Sequence, residues 1–374
     1  MKKVAWLLIL MVGCIEPYMP SEIKPSGAIL VIDGHIDSNS KSIIKLTRSQ
    51  NLFENGETEK VNGAIVTLEN ENGIKYPLTP EGNGNYSLAP QTLSSLKHRL
   101  KVRTNDAKEY LSEFVEIKNS PLIDSVSWDI TPDLDVEIYA NTHSIESTKG
   151  YYRWNFEETW LYTSAYQSIY IYNYTSHRAE LRQDDIFNCW RSKSSTNILI
   201  SSSSHLSENV ISKFPLTIID QRDIRLRYTY SILVKQFSIT EDAFSYWKQL
   251  KKTTEDLGTI FSPMPSQVKG NFQCLSNPEE PVLGYFSIGA SSEKRIFINS
   301  LELPRPNTYN TPYEGCELYE LDMADVFKFS GPYLLVGGIP NPNGPGIIGY
   351  YYSVTQCADC REAGGKNVKP DFWP

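Results

Sequence analysis

Short runs of alternating apolar and polar residues, each closed by a turn, recur along most of the chain, and this limits its fold more than any other feature. Ala64, Val66 and Leu68 alternate with Ile65, Thr67 and Glu69, and Asn70-Glu71-Asn72-Gly73 then turns the chain. A period of two puts successive side chains on opposite faces of a strand, so one face is buried against a second layer. The runs 28–36 and 42–48 are split by Asp37-Ser38-Asn39-Ser40, and 76–78, 84–88, 98–103 and 110–117 continue the series. Strands at such spacing, separated by Gly, Asn and Pro turns, predict a small β-sandwich over 28–118.

Pro121 opens a second region. Residues 125–130, 135–141, 151–162, 168–174 and 224–239 alternate again, which predicts a larger β-rich domain over 121–374. One stretch, SITEDAFSYWKQLKKTTEDLG (238–258), has helical spacing instead. Ala243, Phe244, Trp247 and Leu250 share a face, and the start is set by a Ser238–Glu241 capping box or by Thr240 as the cap itself. Gly258 suits the stop, so a helix is expected near 240–257. The fold class is mainly β, with one inserted α-helix. Within the first sandwich, VNGAIVTLENENGIKYPLTPEGNGNYSL followed by EYLSEFVEI resembles a transthyretin-like or carboxypeptidase-regulatory-like domain. That resemblance implies a seven-stranded exported sandwich.

The chain starts MKKVAWLLILMVGC. Lys2 and Lys3, the apolar run from Val4 to Val12 and the small Gly13 make an export signal over 1–13. The run is too short to cross a bilayer as a helix. Met11-Val12-Gly13-Cys14 resembles a lipobox, so Cys14 is the expected lipidation site and the membrane a partner through its lipid. Several acyl chains, each worth about 0.8 kcal/mol per buried CH₂, anchor stably. Residues 14–27, with three prolines, read as a tether. The formal charge of −8 becomes −10 without Lys2 and Lys3. An acidic exported chain has no electrostatic reason to bind nucleic acid.

The stretch YYRWNFEETWLYTSAYQSIYIYNYT supplies Tyr151, Tyr152, Trp154, Trp160, Tyr162, Tyr166, Tyr170 and Tyr172. Two readings stand: strand pairs with large cross-strand contacts, or a stacking platform for a sugar, peptide or partner. Gly344-Pro345-Gly346-Ile347-Ile348-Gly349 matches GxGxxG, but Pro345 removes an N–H that a phosphate needs, and strand-like YYYSVTQ comes next where a helix is required. His35, His98, His143, His177 and His205 are scattered without metal spacing. No GxSxG elbow occurs. Asp184-Asp185 and Glu279-Glu280 lie in turn-like contexts and read as solvated charges. Asp124-Ser125-Val126 resembles a short Bacteroidota O-glycosylation motif. No catalytic residue, metal or cofactor is expected.

Five cysteines remain beyond Cys14, and in an oxidising compartment they pair. CADC (357–360) has no second CxxC or Cys/His pair for zinc, and it sits after a strand-like run where a redox motif opens a helix. Disulfide candidates are Cys189, Cys316, Cys357 and Cys360, with Cys357 or Cys360 bridged to Cys316 so that the C-terminus is stapled to the irregular 300s.

CIEPYMP, ILVIDGHI, SITEDAFSYWKQL, KGNFQCLSNPEEPVLGYFSIGASSEKRIFI and CADCREAGGKNVKPDFW together resemble the Bacteroidota exported lipoproteins of the "domain of unknown function 4249" family. The resemblance runs from Cys14 to Trp373. It implies an outer-membrane lipoprotein, facing the periplasm or the cell surface, and an accessory or ligand-binding role beside a TonB-dependent receptor, with no catalysis. A surface structural or adhesive protein, or a hydrolase with an unrecognised carboxylate pair, are the alternatives. Cys274 stands where the family has a non-cysteine, so it is the expected unpaired thiol.

Overall fold

The computed structural model describes residues 28–49, 57–145, 149–255 and 268–374. The expected signal peptide, Cys14, the tether and Gly258 lie outside the described residues.

The first sandwich packs two five-stranded sheets. One runs Val282–Gly284, Leu30–Asp33, Ser42–Arg48, Asn85–Leu88 and Thr79–Gly82 in spatial order. The other runs Phe272–Cys274, Glu109–Ser112, His98–Arg103, Ile65–Asn70 and Lys75–Pro77. The alternation sets the inward face: Val66 and Leu68 are 1% and 0% exposed, whereas Ile65 beside them is 63% exposed.

An edge strand of each sheet comes from far along the chain. Val282–Gly284 lies parallel to Leu30–Asp33, and Phe272–Cys274 lies antiparallel to Glu109–Ser112. Ser287–Gly289 adds a short parallel ladder to His35–Asp37. Phe272, Val282, Phe286 and Ile288 enter the core beside Leu30, Leu46 and Leu100. The sandwich expected over 28–118 is therefore discontinuous, because residues 272–289 belong to it and not to a 121–374 domain. Three-residue strands carry too little periodicity to reveal a distant partner. Gly284 permits the close approach: its φ is +140°, and a Cβ there would sit 2.2 Å from the Ile32 carbonyl oxygen.

The second sandwich sets Ile123–Ile130, Val136–His143 and Val210–Ile219 against a sheet of Asn188–Ser194, Tyr151–Thr163, Thr229–Ser238 and Ser292–Asn299. Leu199–Ser202 also pairs with the start of Tyr151–Thr163. With that strand the sandwich sets three strands against five. Both cores are mainly aliphatic, but the second holds six aromatic residues, two of them Trp, against four in the first. Trp154 is fully buried and stacks on Phe214 with ring centroids 4.4 Å apart. Its indole N–H donates to Gln236 Oε1 at 3.0 Å. Gln236 is also fully buried, and its amide donates to the Pro121 carbonyl and to Thr142 Oγ1. These bonds satisfy polar atoms that would otherwise cost about 1–3 kcal/mol each.

A third, small lobe is built from Tyr319–Asp322, Ile347–Val354 and Tyr333–Pro340, with the hairpin Tyr170–Asn173/Arg178–Leu181 against it. Its core is Tyr172, Val326, Phe329, Leu335 and Tyr350. The hairpin is inserted within the second sandwich and the sheet comes after its last strand, so lobe and sandwich are interleaved in sequence.

The one long helix among the described residues, α1 (Glu241–Thr254), starts as expected with Thr240, whose side chain accepts from Ala243 N at 3.2 Å. It buries Ala243, Tyr246 and Trp247 in a cluster that takes Tyr151, Ile198 and Ile200 from the second sandwich and Tyr285 from the segment that returns to the first. α1 is thus a wedge between the two sandwiches. Arg153 lies over the Trp247 ring at 3.8 Å, a cation–π contact within this junction.

Candidate functional site

A cavity of about 760 Å³ opens at this junction, within the size range of ligand clefts and at a typical place for one. Its walls are the inter-sandwich linker 116–124, the turn after Val136–His143, the start of Tyr151–Thr163 and the entry to α1. The linker is held on both sides. Lys118 N and Ser120 N donate to the carbonyls of Ile288 and Ala290, and Ile123 N donates to Ser292 Oγ. Ser120 Oγ donates to the Gln236 carbonyl and accepts from Ser238 N at 2.6 Å. The cleft is therefore shaped before anything enters it.

Polar side chains converge on it. His143 Nδ1 lies 2.8 Å from both carboxylate oxygens of Asp124. The two residues end up together because Ile123 pairs with Thr142 across the antiparallel ladder. The Tyr152 hydroxyl donates to Asn209 Oδ1 at 3.0 Å, and Ser203 Oγ lies 2.8 Å from the same oxygen. Desolvation, then a hydrogen bond to Glu241, raises the Tyr151 phenol above its ordinary value, so it stays protonated and able to donate. With side-chain exposures of 56% and 39%, His143 and Asp124 are solvated, unlike the desolvated pairs that mark acid–base centres. Carboxylates, amines, amide and phenol together suit a polar ligand of little net charge.

The aromatic stretch does not form one platform. Tyr151 and Tyr152 line the cleft. Trp154, Trp160 and Tyr162 are buried in the second sandwich, and Tyr162 donates to the Cys360 carbonyl at 2.7 Å. Tyr166 is half-buried and donates to the Cys316 carbonyl at 2.9 Å. Tyr170 and Tyr172 pack into the core of the lobe. Alternation turns every second ring inward, and the chain end covers part of the remainder. Five of the eight are buried, and Tyr151, Tyr166 and Tyr170 are half-buried.

Cys316 pairs with Cys357, and Cys360 pairs with Cys189. The two cysteines of CADC thus belong to different bridges. Cys357 sits in a one-turn helix, α2 (Thr355–Ala358), and Cys360 opens a 3₁₀ turn. Cys274 is buried and unpaired. Gly344-Pro345-Gly346 occupies the turn of the hairpin between Tyr333–Pro340 and Ile347–Val354, closed by Asn341 N to the Gly346 carbonyl. Ser125 lies within a strand, half-buried, where its hydroxyl accepts from Asn141 Nδ2. Among the described residues no three His, Cys, Asp or Glu side chains are grouped to hold a metal, and no helix is long and apolar enough to cross a membrane.

Sequence reasoning missed the meeting of Asp124, His143 and Glu241. They are separated by 19 and 98 positions, and only the strand ladder and α1 bring them to one opening. The short motif at Asp124 was the one signal that pointed there, and it pointed to a different chemistry.

No curated protein matches the chain. Among solved structures, a cytokine receptor complex aligns with a TM-score of 0.18 and 10% identity, covering 56% of this chain and 90% of that one. The FN1–FN3 domains of chicken CNTN1 align with a TM-score of 0.18 and 15% identity, covering 56% and 62%. Overlaps of this size carry no argument about fold or function. The family comparison is different: residues 15–295 match the model of the family described as domain of unknown function (DUF4249). That span is most of the chain, including both sandwiches up to the last long strand of the second, and the chain belongs to the DUF4249 family.

Proposed function

We propose that the chain is an outer-membrane lipoprotein, anchored through Cys14, that catalyses nothing and serves as an accessory, ligand-binding partner of a TonB-dependent receptor. The observation that carries the binding role is the 760 Å³ cleft, walled by the inter-sandwich linker and by α1, with Asp124, His143, Tyr151 and Glu241 converging on it. A preshaped cleft loses less free energy on ordering than a mobile one, which suits a protein whose work is holding. The anchor is supported by the sequence alone, through the lipobox-like Met11-Val12-Gly13-Cys14.

A native pull-down of the full chain from detergent-solubilised envelopes tests the receptor role. Co-retention of a TonB-dependent receptor supports it, and retention of none overturns it. A thermal-shift screen of neutral oligosaccharides and short peptides tests the cleft. A hit that raises the melting temperature, and that Asp124→Asn with Glu241→Gln abolishes, supports binding there.

A further inference from the structure

The three-stranded lobe carries an exposed apolar surface out of proportion to its size. Among the described residues, ten of the twenty-five exposed large hydrophobic side chains fall within 169–181 and 318–348. Tyr174, Leu181 and Phe327 are 59%, 61% and 59% exposed, and Ile171, Tyr319 and Met323 exceed 40%. The strand Arg178–Leu181 lies against the turn Met323–Lys328, and Tyr172 meets Phe329 with ring centroids 5.4 Å apart, so hairpin and turn are one piece of surface. Exposed apolar groups gathered on one small unit mark contact sites.

Charge is interleaved with these groups and carboxylates are in excess, with exposed Arg178 on the hairpin as the counter-example. Residues 314–328 hold five carboxylates and a single lysine, whereas residues 329–358 hold no Asp, Glu, Lys, Arg or His. Ile171 faces Glu180 across the hairpin, and the Tyr319 hydroxyl lies 3.4 Å from Glu317 Oε2. Lys328 is bound to Asp325 at 2.6 Å, and exposed Arg178 on the hairpin is accompanied by exposed Glu180, so the carboxylates remain in excess. The result is two uncharged strands flanked by the carboxylate-bearing edge strand Tyr319–Asp322 and the turn after it. Both disulfides bear on this lobe. Cys316–Cys357 links the approach to its first strand with the end of its last, and Cys189–Cys360 ties the C-terminal segment beyond the lobe to the second sandwich. A surface held in this way loses little conformational entropy when it docks.

We propose that this face of the lobe docks a protein whose contact surface has an apolar centre and a Lys/Arg rim. The acidic rim decides among possible occupants. Anionic lipid headgroups attract basic surfaces and repel this one. A second copy joined about a two-fold axis sets the same patch against itself, carboxylates against carboxylates. Opposite charge favours a basic-rimmed protein and speeds its encounter. Docking here depends neither on the cleft nor on the identity of any receptor.

The test places a photoreactive phenylalanine analogue at Phe327, in the full chain in living cells, with the same analogue at Ile65 on the first sandwich as control. The expected result is an adduct from position 327 to one protein, absent from position 65, with a captured peptide rich in Lys or Arg. Glu320→Lys with Asp322→Lys is expected to cut the yield about tenfold while the melting temperature holds, because like charges then face each other. If that variant fails to fold, raising salt from about 50 to 500 mM in isolated envelopes removes the same attraction and is expected to have the same effect. The proposal is overturned by no adduct, by an adduct to lipid or to a second copy, or by a protein adduct whose yield neither charge reversal nor salt changes.

Discussion

The first sandwich and the C-terminal lobe solve the same problem in opposite ways. Each must hold segments that are distant in sequence. The first sandwich takes in residues 272–289 through hydrogen-bonded edge strands and apolar burial, without a disulfide, and even leaves Cys274 as a buried thiol. The lobe has only five buried hydrophobic residues in its core; Cys316–Cys357 closes it, and Cys189–Cys360 fixes the segment that follows it to the second sandwich. Core size explains the difference. A cluster of twenty buried residues can offset its own ordering entropy, whereas a unit as small as the lobe needs covalent help.

Removing the borrowed segment breaks this contrast most severely. A chain lacking residues 268–291 loses an edge strand from both sheets and five core side chains, of which Phe272, Val282, Phe286 and Ile288 are each worth about 1.5–3 kcal/mol of burial. That sum rivals the whole stability of a typical domain, so the first sandwich is expected not to fold, read as loss of protection of residues 28–118 in hydrogen exchange. The bridges come next. By loop-closure entropy, Cys189→Ala with Cys360→Ala is expected to lower stability by about 5 kcal/mol, and Cys316→Ala with Cys357→Ala by about 4 kcal/mol. Denaturant melts combined with hydrogen exchange check this, and reductant is expected to lower protection in the lobe well before the first sandwich.

Acid sharpens the contrast, because it acts at the junction. Burial pushes His35 from an ordinary 6.5 down to about 4, outweighing the nearby Asp37 charge. His35 Nδ1 lies 2.8 Å from Ser287 Oγ, on the borrowed segment, and the ring meets Phe237 edge-on at 4.8 Å. A folded value below the unfolded one means that the neutral ring is favoured in the fold. Its contribution is complete above about pH 6.5 and is lost as pH falls towards 4, by at most about 3 kcal/mol. His35→Gln is expected to flatten the melting temperature over that window. The smallest effect belongs to the wedge: Thr240→Ala removes the N-cap of α1 and is expected to cost about 1 kcal/mol in a denaturant melt, with no change in the disulfides or the strand ladders.

Legibility tracked the range of the interaction. The alternation around Val66, the helix capped by Thr240 and its stripe of Ala243, Phe244 and Trp247 were readable because strand and helix periods act within a few residues. The aromatic run 151–172 was readable as strands but not as a surface, since one face of a strand pairs with a core that another segment supplies. The pairing of Cys316 with Cys357 rather than Cys360 was undecidable from spacing, because the two candidates are three residues apart and only α2 turns one away from the other. The cleft was invisible for a related reason: Asp124 and His143 are neighbours only once the ladder registers Ile123 with Thr142.

By itself the sequence determined the class of the structure, its family and the unpaired place of Cys274, all of which rest on local pattern or on motifs that stand in one piece. Tertiary structure decided where the first sandwich ends, which cysteines meet, which tyrosines see solvent and that a cleft exists between the sandwiches. Each of these depends on contacts across tens to hundreds of residues. Such contacts are selected by total burial and hydrogen bonding over the whole molecule, and no short window of sequence carries that sum.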